Sequence, residues 1–196
     1  CNTNRLIARA SAPKVPAERW FAMTALDDNR ARFQLAAQAD VPVTAVQNMT
    51  IWGNHSATMF ADYFHATIDG TPVPDKLDAE WLRNDFLTTV QQRGAAVIKA
   101  RGASSAASAA NAVIDSVVRI TTPTPAGQSF SMAVPSDGSY GVPAGLIFSF
   151  PLRSTGSDYE IIQGIEHGDF AQEKLATTIA ELQEEQAAVQ ELGLIS

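Results

Sequence analysis

The sequence is poor in the residues that staple, span or clasp. Its single cysteine, Cys1, excludes an internal disulfide and a Cys-x-x-Cys metal site. No run of about 18 apolar residues occurs, so nothing reads as a membrane-spanning helix. Basic residues are outnumbered, 14 Lys and Arg against 21 Asp and Glu; the net charge of −7 and the lack of a basic patch argue against a nucleic-acid partner. No Gly-x-Gly-x-x-Gly follows a strand, and there is no Walker loop, His-Glu-x-x-His, EF-hand loop or Gly-x-Ser-x-Gly. Gly138-Ser139-Tyr140-Gly141 is a Gly-x-x-Gly in a turn context and reads as loop geometry. The three histidines, His55, His65 and His167, lack metal-ligand spacing, so no metal site is expected. His65 lies in an apolar stretch and His167 stands beside Gly168 and Asp169, where a helix begins; both read as structural.

What is present suits one compact domain. The 196 residues are 45% hydrophobic and 18% charged, ordinary globular values that allow a real core. Residues 2–12 read as a short helix stopped before Pro13, and 17–39 as broadly helical, in one or two pieces. Residues 43–52 are β-prone, and Asp69-Gly70 is a favoured hairpin pair. The apolar positions from Trp81 to Ile98 predict a helix over 78–100. An Ala/Ser-rich helix over 103–121 follows, with Ser104 or Ser105 as N-cap, and its Val113, Ile114, Val117 and Val118 point to packing. Strands are expected at 128–134, 145–152 and 158–165. A last helix over 169–192 carries Leu175, Ile179, Leu182 and Val189 on one stripe, with Glu181, Glu184 and Glu185 solvated. This order is α+β, with long helices on antiparallel strands rather than alternating βαβ units.

The beginning, Cys1-Asn2-Thr3-Asn4, carries two readings. A processed lipoprotein starts with cysteine, but a flexible polar tether normally follows, whereas Leu6, Ile7 and Ala10 recur at near-helical spacing. The other reading is a chain cut within or between domains, with an N-terminal partner elsewhere. Cys1 has no histidine near it in sequence to support a nucleophile.

Two segments bear chemistry. In Leu26-Asp27-Asp28-Asn29-Arg30, the i,i+3 spacing puts Asp27 and Arg30 on one helix face, where a carboxylate can orient an imidazole and a guanidinium can clamp a substrate carboxylate. In Ile51-Trp52-Gly53-Asn54-His55-Ser56, His55 occupies a loop just after an apolar strand, a common place for a catalytic side chain. Taken singly, such an Asp–Arg pair is more often a solvated helix pair, and a loop histidine more often a plain polar residue.

Together the segments resemble the malate dehydrogenases of the lactate/malate dehydrogenase family. Leu26-Asp27-Asp28-Asn29-Arg30 is similar to its Leu-Asp-x-x-Arg, Trp52-Gly53-Asn54-His55-Ser56 to the Gly-Asn-His-Ser form of cytosolic-type enzymes, and Cys1-Asn2-Thr3-Asn4 to the end of its Asn-Pro-x-Asn-Thr-Asn. Thr89-Val90-Gln91-Gln92-Arg93-Gly94, Ile98-Lys99-Ala100-Arg101, Ser104-Ser105-Ala106 and Ser136-Asp137-Gly138-Ser139-Tyr140-Gly141-Val142-Pro143 extend the likeness over residues 1–195. The resemblance implies a C-terminal catalytic and substrate-binding domain over 1–196, with the NAD-binding Rossmann domain outside this chain. It implies His55 as general acid/base, Asp27 as its hydrogen-bond acceptor, Arg30 as substrate clamp, and Ser105, with Ser104, lining the substrate pocket. It further implies NAD as cofactor, malate and oxaloacetate as substrates, a homodimer and a cytoplasmic location; the 196 residues alone are expected to lack cofactor affinity and activity. A non-enzymatic binding module and a lipid-anchored protein are the competing classes.

Overall fold

The computed structural model describes residues 2–195, so the readings placed on Cys1 lie outside the described residues. Helix α1 (Asn2–Ser11) comes first, then a 3₁₀ turn and α2 (Ala25–Ala39). Short strands follow: β1 (Val46–Gln47), β2 (Thr50–Trp52), β3 (Phe60–Asp62), β4 (Thr67–Ile68) and β5 (Thr71–Pro72). Next are α3 (Val73–Lys76), α4 (Ala79–Trp81), a π segment (Leu82–Phe86), α5 (Leu87–Arg101) and α6 (Ala106–Thr121). Strands β6 (Phe130–Pro135), β7 (Ile147–Ser154) and β8 (Tyr159–Ile161) precede α7 (Asp169–Glu191). Among the described residues three sheets result, β1-β4-β5, β2-β3 and β6-β7-β8, and every strand pairing within them is antiparallel. The α+β expectation is borne out. No described helix is long and apolar enough to cross a membrane.

The structure departs from the sequence reading where the backbone bends without a change in hydropathy. Residues 17–39 take the two-piece form that the pattern allowed, but with an extended break between the pieces. Pro16 begins a 3₁₀ turn at Ala17–Arg19, and Ala22 is captured by β6, exchanging backbone hydrogen bonds of 2.9 and 3.1 Å with Ala133. Residues 43–52 are not one strand. A 3₁₀ turn at Val43–Ala45 leads into β1, and Asn48, at φ 54°, turns the chain so that β1 and β2 join different sheets. Asn tolerates this left-handed conformation better than most residues. The expected 78–100 helix is interrupted by the π segment, an insertion of one wider turn that places Leu82 and Phe86 fully inside the core. Ser105 takes the N-cap position of α6, but its side chain makes no capping bond. The branched residues of α6 do not pack inward: Val113, Ile114, Val117 and Val118 are 51–62% exposed. The Asp69-Gly70 hairpin is present, with both residues at positive φ as a type I′ turn requires.

The core gathers Trp52, Phe60, Phe86, Phe148 and Phe150, all fully buried. Trp52 meets Tyr140 edge-on at 4.8 Å and Phe150 at 6.3 Å, the geometry favoured by ring quadrupoles. Helix α2 is held from two sides. At its start, Thr24 Oγ1 shares a 2.8 Å hydrogen bond with Ser149 Oγ of β7, and the Thr24 carbonyl accepts from the backbone N–H groups of Asp27 and Asp28. Asp28, fully buried, accepts from Arg32 Nε at 2.9 Å and from Arg119 Nη1 of α6 at 2.6 Å. Asn29 donates to Asp115 at 2.8 Å, so a polar seam fastens α2 to α6.

That seam yields a stability prediction. Asp28→Ala leaves two largely buried guanidiniums without their shared anion. It should destabilise the protein by about 3 kcal/mol, the low end for an uncompensated buried ion because both arginines keep some access to water. Urea unfolding checks this; a loss within about 0.5 kcal/mol, the range of ordinary surface substitutions, would contradict it.

Candidate active site

Helix α2 and the loop after β2 meet at β7, and the meeting is built on Ser149. Its hydroxyl bonds Thr24 ahead of α2, while its backbone exchanges hydrogen bonds of 3.2 and 2.9 Å with Gly53. One buried residue thus fixes the origin of both segments the sequence singled out. Asp27 projects from the first turn of α2 and is fully buried. Its Oδ2 accepts a hydrogen bond from His55 Nδ1, and its Oδ1 accepts from Arg30 Nη1 at 3.3 Å. Both carboxylate oxygens are therefore occupied, each by one of the predicted partners.

The His55 side chain remains 43% exposed although its partner is buried. Its pKa is raised above the ordinary histidine value, first by the hydrogen bond to Asp27 and then by that carboxylate's charge, against opposition from burial and from the Arg30 cation. With Nδ1 engaged, Nε2 is the ring nitrogen left for a reacting hydroxyl or carbonyl. This arrangement can exchange a proton at one fixed atom and hold the resulting imidazolium beside a buried anion.

The loop itself is held by α7. At φ 90°, Gly53 brings its backbone so close to Thr178 that a Cβ would lie 2.3 Å from Thr178 Oγ1 and Cγ2. Thr178 Oγ1 accepts the Asn54 backbone N–H at 3.0 Å. Asn54 spans the joint: its Nδ2 donates to Glu181 at 2.8 Å and to Glu185 at 2.6 Å, and its Oδ1 accepts the His55 backbone N–H at 2.9 Å. Ser56 and Thr58 hydroxyls also donate to Glu181, at 2.5 and 2.6 Å. Burial alone would raise the Glu181 carboxyl, but the hydrogen bonds from Ser56, Thr58 and Asn54 outweigh it and hold the group below the usual glutamate range.

The structure therefore brings His55, Asp27 and Arg30 together, and it adds Gly53, Ser149, Thr178 and Glu181, which the sequence reading did not assign to the site. Glu181 and Glu185 are half-buried rather than solvated, because Asn54 captures them. No amphipathic pattern signals that capture. Arg30 lines a cavity of about 280 Å³ between α2 and α5, with Asn29, Thr89, Arg93 and Ser108 among its walls. Ser105 stands three residues before Ser108, and among the described residues no hydrogen bond joins it to His55, Asp27 or Arg30. A second grouping escaped the sequence reading: Asp62, His65 and His167 converge, and His65 Nδ1 lies 2.8 Å from Asp62 Oδ2.

The α/β C-terminal domain of lactate/malate dehydrogenases matches residues 24–192 of this chain. The chain belongs to the lactate/malate dehydrogenase family. Malate dehydrogenase from Naegleria fowleri is 40% identical, superposes with a TM-score of 0.89, and is matched over 97% of this chain and 59% of its own. Trichomonas vaginalis lactate dehydrogenase, solved with NADH and oxamate, is 31% identical with a TM-score of 0.92, over 99% of this chain and 61% of its own. Malate dehydrogenase from Aeropyrum pernix, at 17% identity and a TM-score of 0.80, shares the fold. This chain spans about three-fifths of the length of these family members.

The packing around Gly53 generates a prediction. Gly53→Ala combines an unfavourable positive φ with a Cβ driven into a buried, branched side chain. It should cost about 2 kcal/mol or more and displace the His55 loop. Thermal unfolding and histidine NMR shifts check both; an unchanged melting temperature would refute the steric argument.

Proposed function

We propose that this chain carries the proton-transfer and substrate-binding residues of an NAD-dependent malate dehydrogenase, which interconverts malate and oxaloacetate. The observation that carries the reading is the buried Asp27 carboxylate shared by His55 and Arg30 in a member of this family. NAD, when bound, supplies the hydride acceptor; no residue of this chain is assigned to holding it. In malate oxidation, neutral His55 takes the hydroxyl proton at Nε2 as the C–H bond gives up its hydride, and Asp27 stabilises the imidazolium. In oxaloacetate reduction, the same nitrogen returns the proton to the carbonyl oxygen. Arg30 keeps its remaining N–H groups for a substrate carboxylate, a planar two-point match that also orients the reacting carbon.

Malate is preferred over lactate on the 40% identity to the Naegleria enzyme and the Gly53-Asn54-His55-Ser56 sequence. The likeness to the Trichomonas lactate dehydrogenase makes lactate the second reading. A cytoplasmic location accompanies the malate reading on the same four residues. The proposed assembly is a homodimer that uses the outer face of α2, where Phe33 is 56% exposed. Sedimentation of the full-length gene product only as a monomer at micromolar concentration would remove the dimer.

The test compares oxaloacetate and pyruvate as substrates of the full-length gene product with NADH. A higher kcat/KM for oxaloacetate supports the malate reading; preference for pyruvate replaces it with the lactate reading, and turnover of neither defeats both. His55→Ala should lower kcat about 10²–10⁴-fold. Oxaloacetate reduction needs protonated His55, so its rate falls as pH rises through the raised His55 pKa. Asp27→Asn removes the group that raises this pKa, and the falling limb should move to lower pH. A limb that stays in place would mean that another group sets the profile.

A further inference from the structure

The second Asp–His grouping lies outside the proton-transfer site. Asp62 ends β3, His65 follows in the β3–β4 connection, and His167 stands two residues before α7. One donor atom from each lies within 4.8 Å of the others. Asp62 is fully buried and firmly oriented: its Oδ2 accepts from Trp52 Nε1 at 3.1 Å, and its Oδ1 accepts the Phe64 N–H at 3.0 Å. Such partners fix a ligand's direction in established metal sites. Both ring nitrogens of His167 are enclosed and have no hydrogen-bond partner among the described residues. Enclosed polar atoms are rarely left so, and each one calls for a partner. The ring packs edge-on against Trp52 at 4.7 Å, which fixes its plane.

We propose that Asp62, His65 and His167 form a binding site for a divalent cation of the zinc class. Two imidazoles and one carboxylate are a common zinc donor set, and water fills a fourth position. Zinc with N and O ligands at about 2.0–2.1 Å holds its donors about 3.3 Å apart; the Asp62 and His65 donors, now 2.8 Å apart and hydrogen-bonded, need to part slightly, and the His167 donor, within 4.8 Å of both, to adjust by a side-chain rotation. A cavity of about 370 Å³ adjoins His65 and His167 and supplies a path for the ion. Glu166 and Asp169 also line it, so its negative charge exceeds that of the single Arg83 guanidinium. Tyr140 steadies the approach by donating its hydroxyl to the Ile162 carbonyl and accepting the Ile165 N–H at 3.4 Å, which fastens the segment that delivers His167. The bound ion ties the β3–β4 connection to the segment that begins α7. The grouping shares no residue with His55, Asp27 and Arg30.

The test titrates Zn²⁺ by calorimetry, and Co²⁺ by visible absorption, into the metal-stripped full-length gene product. The expected result is one ion per chain, tetrahedral Co²⁺ bands, and a melting temperature that rises with Zn²⁺ concentration. Losing an outer partner of a metal ligand typically costs about 10–100-fold in affinity. His167→Phe and His65→Asn, which remove ligands, should therefore each weaken binding at least tenfold. Phe keeps the ring packed on Trp52, and Asn keeps a donor for Asp62, so metal-free melting temperatures should match the parent and certify folding. His55→Ala, which removes the other Asp-paired imidazole, should leave the metal affinity unchanged. Binding no tighter than millimolar, or an affinity that survives in either the His167 or the His65 variant, overturns the site.

Discussion

Ser149 is the joint from which the rest of the site is measured. Its hydroxyl anchors Thr24 at the start of α2, and its backbone anchors Gly53 at the end of β2. A proton-transfer pair works only when two side chains from distant parts of the chain meet within a few tenths of an ångström. Asp27 and His55 are delivered by a helix and a loop that would otherwise be independent. Fixing both origins on one buried residue of a central strand removes the freedom that long side chains or flexible connections would introduce. The cost in conformational entropy is borne by the β6-β7-β8 sheet, which is ordered by its own pairing and its aromatic core.

Adjacent acids on α2 show how helix geometry divides labour. Asp27 and Asp28 are both fully buried, yet one residue of helical rotation sends them to different neighbours. Asp28 spends its charge on Arg32 and Arg119 and locks α2 to α6. Asp27 divides its two oxygens between Arg30 and His55. The first arrangement saturates a carboxylate with two cations that stay charged. The second leaves it paired with a titratable base, so in the proposed reaction the stabilisation it provides would change as that base gains and loses a proton. Burying both charges is tolerable because every oxygen has a partner.

How much of this was legible in the sequence depends on what kind of signal a residue carries. Helices α1 and α7, the α5 region and the Asp69-Gly70 turn announce themselves through period and turn chemistry. Asp27, Arg30 and His55 were legible as fragments of a resemblance; their spacing alone pointed as well to solvated side chains. The break at Asn48 was hidden because a left-handed residue leaves the apolar pattern of 43–52 intact. The π segment was hidden because one wider turn, built entirely from right-handed helical residues, leaves the run of helix-forming residues over 78–100 unbroken. Glu181 was misread because amphipathicity separates wet from dry faces and says nothing of a glutamate that serves as acceptor for a loop. His65 and His167 lie a hundred residues apart, and only the folded sheet and the turn around Tyr140 make them neighbours.

The clasp of α7 on the Gly53-Asn54-His55-Ser56 loop also orders events in time. Every side chain that exchanges a proton or grips a carboxylate in the proposed reaction is encoded within the first third of these residues. Thr178, Glu181 and Glu185, which close the loop around Asn54, leave the ribosome well over a hundred residues later. Until then the imidazole has its buried anion in sequence but no wall behind its backbone. A nascent chain therefore holds this imidazole unfinished while more than a hundred further residues are added, and the loop is closed from behind only as α7 docks.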